Sequence, residues 1–317
     1  MTRAVSRASL LDGVHVLDGA MATELEARGA NIDGPLWSAH VLEAAPEMIT
    51  AVHRAYIEAG ADCIETASYQ VSRMGYVACG YAPERADTAL VRSVELARAA
   101  AAGFSERRIV VAASLGPYGA ALHNGAEYSG NYGCSFADLV SFHRERIAVL
   151  ANADVIRRPD LLAFETLPSL EEARALTAAF GDFPTPAAWF SFTCCDSRHV
   201  VHGELLRDCA ALIDTLPQTV AIGINCTHPG LIVDLIGEIR AVSQKPIVVY
   251  PNSGEGWDAA RRCWTGTRDA SEFSALAETW FRAGAQIVGG CCRTAPEYIR
   301  AVLRTSDRVC TSGKPRT

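Results

Sequence analysis

The sequence has no apolar run approaching the roughly 18–20 residues that a membrane-spanning helix needs. Its opening stretch, MTRAVSRASLLDG, meets the acid Asp12 before any long apolar region, so a cytoplasmic protein without a membrane partner is expected. Basic runs are equally scarce. None exceeds an arginine pair such as Arg107–Arg108 or Arg261–Arg262, in a chain with 29 basic and 36 acidic side chains and a formal net charge of −7. Phosphate backbones are held by clustered positive charge, so nucleic acid is not an expected partner. Cysteine is too sparse for a disulfide scaffold, which carries roughly 8–10%, and its count here is odd, at 11. No Ser/Gly linker or low-complexity tract divides the chain, and no HExxH helix or histidine-rich ligand set points to a zinc hydrolase.

What the chain does contain is regular alternation. Of its 317 residues 49% are hydrophobic, enough for a large core, and the length suits about two domains or one α/β barrel. Eight short runs rich in Val, Ile, Phe and Ala, at 14–19, 62–69, 109–116, 161–167, 187–193, 220–226, 246–252 and 285–292, read as buried parallel strands. Helix-like stretches lie between them at 36–59, 83–102, 135–155, 169–180, 205–215, 230–243 and 271–283, with 295–304 after the eighth. This is the arithmetic of an α/β fold of the (β/α)8 type, a single-domain barrel over 1–305 followed by a disordered tail at 306–317, with a doubly wound sheet as the alternative.

Barrel active sites sit where the strands end. Here the runs end in Asp18, Glu65 with Thr66, Ser114, Glu165 with Thr166, Ser191 with Thr193, Asn225 with Cys226, Asn252, and Cys291 with Cys292. Merely as core, these ends would leave many polar groups unsatisfied; one shared cavity is the simpler account. Adjacent cysteines form a mutual disulfide only with strained local geometry, so Cys194–Cys195 and Cys291–Cys292 call for another explanation. The tops of the sixth and eighth strands converge in a barrel, which lets Cys226, Cys291 and Cys292 face one point, with Gly289 and Gly290 allowing the backbone to turn closely. A zinc trio and inert buried thiols stand level on spacing alone. Three thiolates around Zn²⁺ would leave a net charge near −1, poor for splitting water but suited to binding a substrate thiol as a nucleophilic thiolate. That chemistry is alkyl transfer onto sulfur.

The segments LDGAMATELEARG (17–29), ETASYQ (65–70), SLGPYGA (114–120), FETLP (164–168), WFSFT (189–193), GINC (223–226), VVYPNSGE (248–255) and GGCCRT (289–294) resemble the homocysteine S-methyltransferase family. The resemblance is to its S-methylmethionine-dependent branch and runs in order from about residue 11 to about 304. It implies a zinc-containing (β/α)8 barrel. The family's zinc thiolates match Cys226, Cys291 and Cys292, and its homocysteine-binding acids match Asp18 and Glu165. Thr66 is similar to a residue lining the homocysteine site, while Asn225 and Asn252 take roles beside the zinc, either supporting the residues around it or orienting the substrate. Amides near Gly19–Ala22 suit the substrate carboxylate.

The implied reaction moves a methyl group from S-methyl-L-methionine, or S-adenosylmethionine, to the zinc-bound thiolate of L-homocysteine, giving L-methionine. Its partners are therefore those small molecules. A betaine-dependent enzyme and, in another class, a zinc/thiol redox-sensing protein are the alternatives. His228, two residues past Cys226, is expected in a loop rather than on the metal. No long C-terminal arm like that of the betaine-using branch is seen, so a monomer or small homo-oligomer is expected. The loop 117–133 offers Tyr118, Glu127, Tyr128 and Tyr132 to a cationic donor and reads as a lid or a long surface loop, with Trp37, Trp257 and Trp264 as further aromatics.

Overall fold

Every residue of β2 (Val110–Leu115), β3 (Leu161–Leu167), β4 (Ala187–Phe192) and β5 (Thr219–Asn225) is buried, as strands covered on both faces must be. With β1 (Cys63–Glu65), β6 (Ile247–Tyr250) and β9 (Ile287–Val288) they form one seven-stranded parallel sheet in chain order. The computed structural model describes residues 9–310 apart from 33, 35, 182, 259–262 and 266–268, and for 256–258, 263–265 and 310 it covers the backbone alone.

Eight regular strands were expected; the sheet has seven. The first run, 14–19, contributes two bridges that join the sheet's edges, Val16 to Val288 and Leu17 to Cys63. Its ladder is short because the Asp62 carboxylate accepts the N–H groups of His15 and Val16, each at 3.0 Å. A two-stranded antiparallel ribbon, β7 (Gly256–Asp258) with β8 (Cys263–Thr265), interrupts the connection from β6 to β9.

Helices cover the outside of the sheet. α1 (Met21–Ala27), α2 (Ser38–Ala44) and α3 (Pro46–Ala59) precede β1, and α4 (Arg73–Ala78) and α5 (Pro83–Ala101) precede β2. α6 (Tyr118–Leu122) and α7 (Phe136–Ala151) lead to β3, followed by α8 (Leu170–Phe180), α9 (Leu206–Asp214), α10 (Ile232–Arg240), α11 (Ala270–Ala283) and α12 (Pro296–Cys310). The single helix expected at 36–59 is broken at Ala45, which is non-helical at φ −153° and ψ 61° because the ring of Pro46 disfavours a helical residue before it. α12 continues five residues past the expected boundary at 305: the Thr305 hydroxyl bonds the Ala301 carbonyl at 3.0 Å and Arg308 pairs with Glu278 at 3.8 Å. The rest of the expected tail, 311–317, lies outside the described residues.

Alternation along each strand divides the core in two. Val111, Ala113, Leu162 and Phe164 pack outward under the helices, whereas Val110, Ala112, Leu161, Ala163 and Trp189 pack inward. Small inward residues beside Trp189 fill the sheet's interior, so chemistry is confined to the strand ends.

Candidate active site

Cys226 immediately follows β5 with a left-handed backbone at φ 47°, its N–H donating to the Tyr250 carbonyl at 3.3 Å. Cys291 and Cys292 follow β9, anchored by Cys291 N–H to Pro251 O at 2.8 Å and Ser253 N–H to Cys292 O at 3.1 Å. The pair of glycines before them serves close approach. A Cβ on Gly289 would stand 2.6 Å from Leu17 Cβ and 2.7 Å from the Asp18 carbonyl. The three sulfurs lie within 4.8 Å of one another, and those of Cys226 and Cys291 are joined as a disulfide across a Cα separation of 5.6 Å.

This donor set fits a thiophilic metal. Among the described residues no histidine, carboxylate or further cysteine joins the trio, so a four-coordinate ion there keeps one open position. Burial, with the charges of Glu165 and Glu127 adding to it, pushes the Cys292 thiol up to about 11, so a cation is what would draw out its thiolate.

The cysteines border a cleft of about 1160 Å³ whose wall includes Glu65, Thr66, Glu165, Tyr250 and Asn252. Asp18 lies buried just behind, accepting the Glu65 N–H at 2.9 Å through Oδ2 while Oδ1 has no partner. Burial raises the pKa of Asp18, and the Glu165 charge raises it further. Burial likewise raises Glu65, with the charges of Glu165 and Asp18 adding to it. Glu165 is pushed up to about 7 by burial, against an opposing hydrogen bond from the Ser114 hydroxyl. No cationic side chain is among the groups acting on these three acids, so they hold their protons and a positive ligand is what would favour their ionised form.

The expected site residues divide by what they touch. Asn252 lines the cleft with Oδ1 unpartnered. The Thr66 hydroxyl is engaged by Ser68 Oγ at 2.6 Å and by the Ser114 N–H at 3.1 Å. Asn225 is fully buried and off the cleft wall; its side chain is spent on Thr166 and Ser191, so it orients a turn rather than a substrate. The Ala20 N–H is committed to Thr294 O at 3.2 Å, which leaves the first-turn amides of Met21 and Ala22 at the cleft.

From the 117–133 loop, Glu127 and Tyr128 line the cleft, and Trp37 lines it from the other side. Tyr118 and Tyr132 instead pack on each other with ring centroids 5.5 Å apart. The side chains of Trp257, Trp264, Cys263 and Cys310 lie outside the described residues. His228 is exposed and accepts the Gly230 N–H at 3.2 Å, and Cys194 is buried beside an exposed Cys195. Glu65 had appeared only as a strand end, and Tyr250 only within a motif. Both are the last inward residues of their strands, and that position was the available signal.

A family model described as homocysteine S-methyltransferase matches residues 15–305. The chain belongs to the homocysteine S-methyltransferase family. Homocysteine S-methyltransferase YbgG of Bacillus subtilis (strain 168) is 44% identical over 295 residues, covering 90% of this chain and 92% of its own. The crystal structure of the homocysteine methyltransferase MmuM from Escherichia coli in its oxidized form superposes with a TM-score of 0.83 at 42% identity, covering 93% of this chain and 98% of the other. The metallated form of MmuM gives a TM-score of 0.82 at 42% identity over 93% and 97% of the two chains. As a homocysteine S-methyltransferase the protein is an enzyme, a transferase acting on a small thiol. Among its described residues no helix is long and apolar enough to cross a membrane.

Proposed function

We propose that this homocysteine S-methyltransferase is a single-domain, zinc-containing (β/α)8 barrel that moves a methyl group from a sulfonium donor to L-homocysteine. S-methyl-L-methionine is the first choice of donor and S-adenosylmethionine the second. The carrying observation is a soft three-sulfur cluster, Cys226, Cys291 and Cys292, on the same cleft as Glu65 and Glu165, with Asp18 behind them. When bound there, zinc supplies the deprotonation of the substrate thiol near neutral pH.

The chain's own groups provide recognition and placement. Glu65 and Glu165 receive the substrate ammonium, with Asp18 adding charge from behind, and the N–H groups opening α1 at Met21 and Ala22 receive its carboxylate. Ser114 orients Glu165 through its hydroxyl, and Asn225 fixes the turn that follows. Glu127 and Tyr128 face the donor's positive charge. The bond from the donor methyl carbon to sulfonium sulfur breaks, its electron pair staying on that sulfur, while the homocysteine sulfur bonds to the methyl and its proton leaves to solvent. With S-methylmethionine the products are two methionines. The donor carries its own leaving group, so in-line placement, worth roughly 7–11 kcal/mol of a barrier, is the main task left to the protein.

The disulfide between Cys226 and Cys291 is the one feature favouring thiol redox sensing. Buried acids with no cation of their own are the feature a sensor does not need. The test is methyl transfer by zinc-loaded protein to L-homocysteine from S-methylmethionine, S-adenosylmethionine and betaine in parallel. Methionine formed fastest from S-methylmethionine is expected; transfer from betaine alone, or from none of the three, overturns the reading.

A further inference from the structure

Outside the cleft the most heavily bonded buried acid is Glu172, in the first turn of α8 and fully inaccessible. Its Oε1 accepts the Tyr118 N–H at 2.6 Å and faces His143 Nε2 at 3.0 Å, while Oε2 accepts the Tyr132 hydroxyl at 2.6 Å. Proton counting fixes the histidine. Arg146 Nη2 stands 3.0 Å from His143 Nδ1, and a guanidinium can only donate, so Nδ1 accepts and Nε2 carries the hydrogen given to Glu172. The same Arg146 Nη2 donates to the Gly116 carbonyl at 2.8 Å, immediately before the loop begins.

Tyr118 and Tyr132 are the two ends of the segment that brings Glu127 and Tyr128 to the cleft. One carboxylate therefore closes the loop at its base, and the loop's two limbs meet inside it. A Cβ added at Gly119 would lie 2.6 Å from the Tyr132 ring and 2.7 Å from the Ala126 carbonyl carbon. Such geometry describes a compact Ω-type loop held in place, rather than a free lid.

We propose that Glu172 is a positioning residue for the methyl donor: by stapling both ends of the 118–132 loop it sets where Glu127 and Tyr128 stand over the cleft, without touching either substrate. Glu127 has work left to do there, because its Oε2 is buried and unpartnered. The inference rests on the reading that this loop faces a sulfonium donor. The homocysteine headgroup, in that reading, is held by Glu65 and Glu165, which make no bond to the staple.

The test uses Tyr132→Phe, which deletes one hydroxyl, and Glu172→Gln, which keeps an acceptor for Tyr118 and His143 and replaces the charged acceptor at Tyr132 with a neutral amide N–H. Loss of a hydrogen bond to a charged group predicts a donor KM raised about tenfold in each, with the homocysteine KM within about twofold of the wild-type value. Amide hydrogen exchange should accelerate across 118–132 while the core strands stay protected. A donor KM left unchanged, or both KM values rising together, overturns the proposal. Wild-type protein that makes no methionine from any sulfonium defeats the functional reading instead. Exchange still decides the staple, because unaltered 118–132 amides in both variants refute it.

Discussion

Asn225 and Thr166 are bonded at two points: the Asn225 Oδ1 accepts the Thr166 N–H at 2.7 Å, and its Nδ2 donates to the Thr166 hydroxyl at 2.8 Å. Thr166 sits at φ 59°, a left-handed conformation that a β-branched residue adopts only under constraint. The clamp is itself braced. Ser191 gives its hydrogen to Asn225 Oδ1 and lies in hydrogen-bond contact with the Tyr250 hydroxyl, to which Trp189 Nε1 donates at 3.2 Å. Glu165 is the residue immediately before the strained turn, so its direction depends on this chain.

Asn225→Ala removes both clamp bonds and leaves buried partners unpaired, at a cost of about 1–3 kcal/mol for each such group. The expected result is a homocysteine KM raised at least about tenfold together with a lower melting temperature. Steady-state kinetics with thermal unfolding measures both. An unchanged homocysteine KM would separate the clamp from Glu165.

Glu165 gives a pH dependence. Its folded pKa of about 7 lies above the ordinary 4.5, so the native state holds the proton more tightly than the unfolded chain. This contribution to stability is complete below about 4.5 and is lost as pH rises to about 7. Ligand binding runs the opposite way, since an ammonium group is met only by the ionised acids, and Asp18 and Glu65, also raised, titrate with Glu165. L-methionine, which has the same amino-acid headgroup and no thiol, should bind more tightly from pH 6 to pH 8 and release protons near neutrality. Calorimetry in buffers of different ionisation enthalpy reads this directly, and Glu165→Gln should flatten the profile.

Serine in place of Cys226, Cys291 or Cys292 should remove most bound zinc and nearly all transfer, because an alcohol does not ionise to serve as a ligand the way a thiol does. Metal analysis after dialysis is the measurement. One full equivalent retained in all three variants would defeat the assignment.

Two glycines make a matched pair. Gly289→Ala forces a methyl against Leu17 and the Asp18 carbonyl and should destabilise by about 1–3 kcal/mol or more. Gly237→Ala, within α10 and with no atom near the added carbon, should stabilise by about 0.5–1 kcal/mol. Denaturant unfolding of the two variants gives opposite signs if the close approach at Gly289 and the open space at Gly237 are read correctly.

Parallel strands buried on both faces leave continuous apolar runs, which is why β2 to β5 were legible at nearly their full length. Strand ends carrying acids and thiols located the cleft on the same grounds. The 14–19 run was overextended because nothing in its own composition signals that Asp62 would take its amides. Glu172 was invisible for a related reason. On a helix its position looks like any solvated acid, and only the fold delivers a tyrosine hydroxyl and a backbone amide from the two ends of one loop and a histidine from α7. For Asn225 the sequence left a supporting and a substrate-orienting role open, because the partners that favour the first are 59 and 34 positions away.

The bridges of Val16 to Val288 and of Leu17 to Cys63 bring the chain's beginning between its first and last strands. Asp18 follows on that seam, and Cys291 and Cys292 come only at the far end of the sequence. The thiol trio is therefore brought beside Asp18 by an encounter between distant parts of the sequence, the slowest kind of contact to form. A fragment ending before β9 holds all three acids but only one of the three thiols, so recognition of the amino-acid headgroup and activation of its sulfur are separable along the chain.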